Sequence, residues 1–421
     1  MSKLRFAHIG LLLTVFGLNS APALLGLGPV AYAAADQAAT VRPEVGKPLQ
    51  AAQELQKAKK FREALAKIQE AESVAGKTPF EAFIIERTKA SVASASGDSA
   101  LAAKSFEAII ASGRLSPAEQ TKFIQALGGM YYQLKDYPKA IVWFSRYVQE
   151  GGDDPKIRGL LIQTYYLNNE FSRAAKELLA SIHAEEKAGQ KPSEEQLQLL
   201  ANCAIKQGDK AGYAGAIEKL VAYHPKKEYW ADLLNRVQAK PGFADRLSLD
   251  VFRLKLAVGQ LTTAADYMEM SQLALQAGFP AEARKIVEQG FKFEALGTGA
   301  DAARHKRLRD LADKTAADDL KTMVQNEVEA TKSKEGIGLL NLGFAHVTNG
   351  QFEKGIGLME QGMRKGGIKR IDDAKLHMAI AYLWAGQKPS AIQMFKSVQG
   401  ADGTADLAHY WVMQANHPMN N

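Results

Sequence analysis

The side chains able to ligate a metal or form a covalent intermediate are few and far apart: one cysteine, Cys203, and, beyond residue 33, histidines at 183, 224, 305, 346, 377, 409 and 417. A zinc site needs three or four ligands brought together, usually as closely spaced pairs, and these residues are scattered singly. Cys203 has no second cysteine to pair with, and a lone thiol inside an apolar helical pattern reads as a buried, inert one. The phrases GIGLLNLG and GIGLMEQG are rich enough in glycine to suggest a phosphate loop, but no strand precedes either, as a dinucleotide site requires. There is no H-E-x-x-H, no Walker-type loop and no G-x-S-x-G elbow. The chain is therefore read as non-enzymatic, with no metal and no cofactor.

What the sequence does repeat is a spacing of apolar and small residues. Leu127, Tyr131, Ala140 and Phe144 return 34 residues later as Leu161, Tyr165, Ala174 and Leu178. Helices can approach closely only where the crossing point carries Gly or Ala, with large side chains filling the space beside it. Gly128 and Ala140 then let two helices touch, and Leu127, Tyr131 and Phe144 form their seam. The same frame fits Ile217 and Leu220 with Pro225 at the helix end; Met270, Ala274, Gly278, Ala283 and Val287; Leu342, Gly343, Gly350, Gly355 and Met359, where His346 stands in the place of the seam tyrosine; and Met378, Ala379, Tyr382, Gly386, Ala391 and Phe395. Two weaker copies precede them, one on Leu55, Phe61, Ala64 and Ile68, the other on Gly97, Asp98, Ala102 and Phe106.

This pattern resembles the tetratricopeptide repeat (TPR). The resemblance implies an all-α fold, a right-handed superhelical solenoid of antiparallel helix pairs, with about eight units interrupted by degenerate segments. The expected layout is an N-terminal TPR block over 45–227, a degenerate helical pair over 228–263, one unit over 264–297, a polar helical linker or hinge over 298–335, a C-terminal TPR pair over 336–405, and a capping helix and tail over 406–421. In the last, Leu407, Tyr410, Trp411 and Met413 would cover the end of the array. A weak unit weakens both its neighbours' contacts, which is the reason to expect a bend at 298–335.

The N-terminus follows a different rule. Lys3 and Arg5 precede the apolar run IGLLLTVFG, and Ala31-Tyr32-Ala33 closes it, the layout of a secretory signal peptide over 1–33. Asn19, Pro22, Gly26, Gly28 and Pro29 interrupt the run as a spanning helix; the alternative is an uncleaved inner-membrane anchor. Cleavage removes two basic residues and no acidic one, lowering the formal charge from +7 to +5. The densest basic run, RHKRLR at 304–309, is flanked by acidic residues and reads as a solvated helix face rather than a nucleic-acid surface.

With catalysis set aside, function is expected in the surface made by the first helix of each unit. The TPR resemblance implies groove-facing Lys122, Gln125, Tyr132 and Gln133, then Lys156, Gln163 and Tyr166, then Gln198, Asn202 and Lys206. Amides, tyrosines and lysines in a groove suit an extended peptide with acidic character. Asn202 stands without the partners of the family's carboxylate clamp for chaperone tails. In the C-terminal units the same positions carry Phe344, Val347, Ile380, Leu383 and Trp384, either buried by a neighbour or a hydrophobic docking face.

The leading expectation is a periplasmic adaptor or scaffold for protein or peptide partners, chiefly envelope proteins, with no integral membrane span after cleavage. In layout, and in phrases such as PSEEQLQLLANCAIKQGDKAGY and KKEYWADLLNRV, the chain is similar to exported repeat proteins that accompany TonB and ExbB/ExbD-type energy-transduction systems of Gram-negative bacteria, which implies an accessory role there. A structural homo-oligomer and, last, a cell-wall enzyme are the remaining readings.

Overall fold

A computed structural model describes residues 40–419, so the signal segment 1–33 lies outside the described residues. These residues divide into two compact units between Leu178 and Leu179. In unit 1 the helices are α1 (Pro43–Lys57), α2 (Phe61–Ser73), α3 (Pro79–Ser96), α4 (Ser99–Ala111), α5 (Pro117–Gln133), α6 (Tyr137–Gln149) and α7 (Pro155–Leu167); α8 (Phe171–Lys187) contains the division. Unit 2 continues with α9 (Glu194–Gln207), α10 (Lys210–Tyr223), α11 (Lys227–Gln238), α12 (Ser248–Ala257), α13 (Ala264–Gln276) and α14 (Pro280–Lys292). It ends with α15 (Ala302–Lys332), α16 (Ile337–Thr348), α17 (Phe352–Lys365), α18 (Ile371–Trp384), α19 (Lys388–Lys396) and α20 (Thr404–Asn416). No strand occurs among the described residues, and none of their helices is long and apolar enough to cross a membrane.

Eight helix pairs are closed by one and the same turn. In each, a residue with φ between 57° and 82° stands two positions before the second helix: Lys59, Gly97, Lys135, Asn169, Gly208, Gly278, Gly350 and Gly386. The next amide then donates back to a carbonyl five residues earlier, as in Asp98 N–H to Ala93 O, Asp136 N–H to Tyr131 O and Gln387 N–H to Tyr382 O, at 2.9–3.0 Å. This bond satisfies a carbonyl that the helix end would otherwise leave open. Glycine adopts the left-handed conformation without strain; Lys59 and Lys135 adopt it at some cost. Four of the helices start on reciprocal side-chain caps. Thr78 with Glu81, Ser116 with Glu119, Ser193 with Gln196 and Thr263 with Asp266 form reciprocal boxes.

The seam is as the small residues require. A methyl on Gly128 would lie 2.5 Å from the Phe144 ring, and Leu127, Ala140 and Phe144 are fully buried. The seam tyrosines carry a second bond outward to the preceding pair. Tyr131 donates its hydroxyl to Glu107 of α4 at 2.7 Å, Tyr382 donates to Glu360 of α17 at 2.9 Å, and Tyr165 meets Ser145 of α6 at 3.2 Å. Ring burial thus fixes each pair, and the hydroxyl fixes the stacking of pairs.

Unit 2 departs from simple stacking in two ways. The polar stretch expected as a linker is one 31-residue helix, α15, which buries His305, Leu308, Ala312, Ala316 and Met323 and packs on α13, α14 and α16. The chain also returns on itself, for α20 packs against α12 as well as α18 and α19. Ala244 N–H donates to Asp402 O at 2.9 Å, Arg246 pairs with Asp373 and Asp402 at 2.6–2.7 Å, and Lys240 pairs with Asp406 at 2.8 Å.

Candidate functional site

The residues expected in the groove sit on α5 and α7 in unit 1 and on α9 in unit 2. None of them is buried. Lys122, Gln133, Lys156 and Lys206 are exposed, and Gln125, Tyr132, Gln163, Tyr166, Gln198 and Asn202 are half-buried. In unit 1, Tyr132 donates its hydroxyl to Gln163 Oε1 at 3.4 Å, joining α5 to α7. Each tyrosine is held edge-on by the first aromatic of the following helix, Tyr132 by Tyr137 at 6.1 Å and Tyr166 by Phe171 at 5.3 Å. Burial raises the Tyr132 phenol above its ordinary value, so it stays a neutral donor.

Unit 2 contains the same rung with its partners exchanged. The Gln198 amide donates to Tyr229 Oη at 2.8 Å, joining α9 to α11 across the same 31-residue step as Tyr132 and Gln163. Tyr229 in turn donates to Glu194, and Lys226 pairs with that carboxylate at 2.6 Å. Burial works to raise the Glu194 carboxyl, but bonds from Lys226 and Tyr229 outweigh it and hold it below the usual range. Tyr229 was not anticipated from the sequence; its place 31 residues after Gln198 was the available signal.

The expected hydrophobic docking face divides. Phe344, Val347 and Ile380 are 0–1% exposed and belong to the core rather than to a surface. Phe344 is covered by Phe279 at 5.1 Å, by His377 at 5.1 Å, and by the Arg253 guanidinium 4.8 Å from its ring centre. Leu383 and Trp384 remain part-exposed and line a cavity of about 240 Å³ with Trp411.

That cover is built on a buried ion cluster which sequence reasoning missed. Arg253 of α12 is 2% exposed and donates to Asp250 at 2.7 Å and to both Glu282 oxygens at 2.6 and 2.8 Å. His377 of α18 lies 3.0 Å from Asp250. Burial opposes ionisation of Asp250, but the charges of His377 and Arg253 prevail and hold its carboxyl at about 2. The only local sign was a charged pair three residues apart inside the apolar run LSLDVFRLKLAV.

His346 occupies the seam position and is buried, its Nδ1 2.5 Å from Gln351 Oε1. No group of three or more His, Cys, Asp or Glu side chains suited to a metal occurs among the described residues.

No family model matches the sequence, and no curated protein matches it. Among solved structures the chain is similar to the TPR2AB-domain:pHSP90 complex of yeast Sti1, at 16% identity over 64% of this chain and 98% of that one, TM-score 0.29. It is also similar to the P58(IPK) TPR domain, at 14% identity over 88% and 97%, TM-score 0.22. The yeast Tom70 structure aligns at 12% identity over 88% and 95%, TM-score 0.23. Two of these three are TPR domains by name. The fold itself is established by the eight uniformly closed helix pairs.

Proposed function

We propose that the protein is a non-enzymatic TPR adaptor that binds an extended polypeptide segment along its first helices. The observation that carries this reading is the repeated rung, Tyr132 to Gln163 and Gln198 to Tyr229. Within each unit it fixes a flat ring and an amide across two helices, with the exposed ammonium groups of Lys122 and Lys156 on those helices in unit 1 and that of Lys206 in unit 2. A peptide backbone needs donors and acceptors at regular intervals, and rings held in place lose little entropy on contact. The lysines favour a segment with acidic side chains.

On this reading the adaptor works in the periplasm after removal of residues 1–33 and serves an envelope complex, of which a TonB/ExbB/ExbD-type energiser is the specific candidate. The reading is tested by crosslinking the tagged protein in cells, with a Tyr132→Ala/Tyr166→Ala variant beside it. Capture of defined envelope proteins that the variant loses is the expected result. Equal capture by both proteins removes the unit 1 rung from the site, and adducts with itself alone favour a structural oligomer. Fractionation of the same cells, with sequencing of the new N-terminus, tests export and cleavage after Ala33.

A further inference from the structure

Unit 2 contains a cavity of about 420 Å³ that none of the groove residues touches. Its apolar wall is Leu256 of α12, Leu261 of the following loop and Tyr267 of α13, with Phe293 at the end of α14 standing 60% exposed at the rim. Gln260 bonds the Lys227 carbonyl and so ties the start of α11 to the end of α12. The polar groups are few. Tyr267 is 2% exposed, yet its hydroxyl bonds to no other described residue. Lys227 is the one charged residue lining the cavity and forms no ion pair among the described residues; no carboxylate lines it. Thr262 and Gln289 complete the lining.

The Tyr267 hydroxyl is thus left to bond whatever occupies the cavity, water or a ligand. Apolar walls, one such donor and one unpaired ammonium describe a receptor for a small amphiphile. We propose that this cavity binds a compact apolar molecule bearing a single carboxylate. The apolar body lies against Leu256, Leu261 and Phe293, and the carboxylate meets Lys227 with Tyr267 donating to an oxygen.

The test is titration calorimetry on the full chain with 3-phenylpropionate, 3-phenylpropionamide, and an octapeptide ending in phenylalanine with a free C-terminus. The expected result is saturable binding of 3-phenylpropionate, weaker binding of the amide, and a loss of about tenfold for the carboxylate in Lys227→Gln, the scale of one charge-assisted bond. Tyr267→Phe, which keeps the ring and its packing, is expected to weaken binding severalfold, and Lys292→Gln to leave it unchanged. Absence of saturation, equal binding of acid and amide, or indifference to Lys227→Gln overturns the proposal. Binding of the peptide but not of 3-phenylpropionate also overturns it, by making a chain end the occupant.

Discussion

Gly343 of α16 and Gly355 of α17 hold their helices in backbone contact: a methyl on the first would lie 2.6 Å from the Gly355 carbonyl oxygen, and one on the second 2.5 Å from the Gly343 carbonyl oxygen. Gly362 repeats the relation seven residues on, where a methyl would meet the Gly336 carbonyl oxygen at 2.6 Å. The glycine phrases that suggested a phosphate loop are therefore a helix-crossing surface. Gly343→Ala is expected to lower the stability of unit 2 by about 1–3 kcal/mol, the range of overpacked interiors. Gly357 on the same helix has nothing within 4 Å of its added methyl, so Gly357→Ala should stabilise by about 0.5–1 kcal/mol. Urea midpoints of the two variants give opposite shifts if the contact is as described.

Arg253 is the group whose loss unit 2 should tolerate least. Arg253→Met leaves the Asp250 and Glu282 carboxylates buried with too little opposing charge, and removing one partner of a buried pair costs about 3–5 kcal/mol. Lys240→Gln breaks the exposed pair with Asp406, in which the lysine is 49% exposed, and should change stability by less than about 1 kcal/mol. Denaturant unfolding of both variants measures the contrast.

Two ionisable groups set opposite pH dependences. The folded carboxyl of Asp250 sits at about 2, below the ordinary aspartate value of 3.8, so its contribution is present above pH 4 and is lost as pH falls toward 2. Asp250→Asn should flatten the melting temperature over that window. His409 is raised above 6.5 chiefly by its bond to Glu218, against the effect of burial. Its contribution is present below pH 6.5 and is lost as pH rises through the raised value. His409→Gln should abolish that decline while leaving the acid limb intact.

Cys203 is 0% exposed, and burial pushes its thiol up to about 11. Iodoacetamide at pH 8 should leave the native protein unlabelled and modify it fully in denaturant. Rapid native labelling would show that the helix around Ala201 and Ala204 opens readily.

Much of this architecture was legible because it is local. The small residues Gly128 and Ala140, the seam positions of Tyr131 and Tyr382, and the glycines before the second helices all act within one pair or between adjacent pairs, so their spacing appears directly in the sequence. The fate of Phe344, Val347 and Ile380 was not legible. For Phe344 the cover comes from Arg253 and Phe279, which belong to other helices, α12 and the start of α14, so no spacing within its own pair reveals it. The segment 298–335, expected as a polar helical linker or hinge, shows few apolar anchors in the sequence, and its helix α15 buries five residues between His305 and Met323. The placement of Lys122, Lys156 and Lys206 on exposed helix surface agrees with their polarity, which any solvated face would share.

The return of α20 to α12 also bears on the order in which the chain acquires structure. A pair such as α5 with α6 closes over a few residues, whereas Arg246 reaches Asp402 across 156 positions. Contacts of that separation form late, because the intervening chain must lose its freedom first. As the chain emerges N-terminus first into the compartment where it folds, unit 1 can complete its stacking before α16 appears, but the ends of unit 2 cannot meet until α20 has emerged. A chain stalled shortly before that point would expose the α12 surface meant for its own last helix.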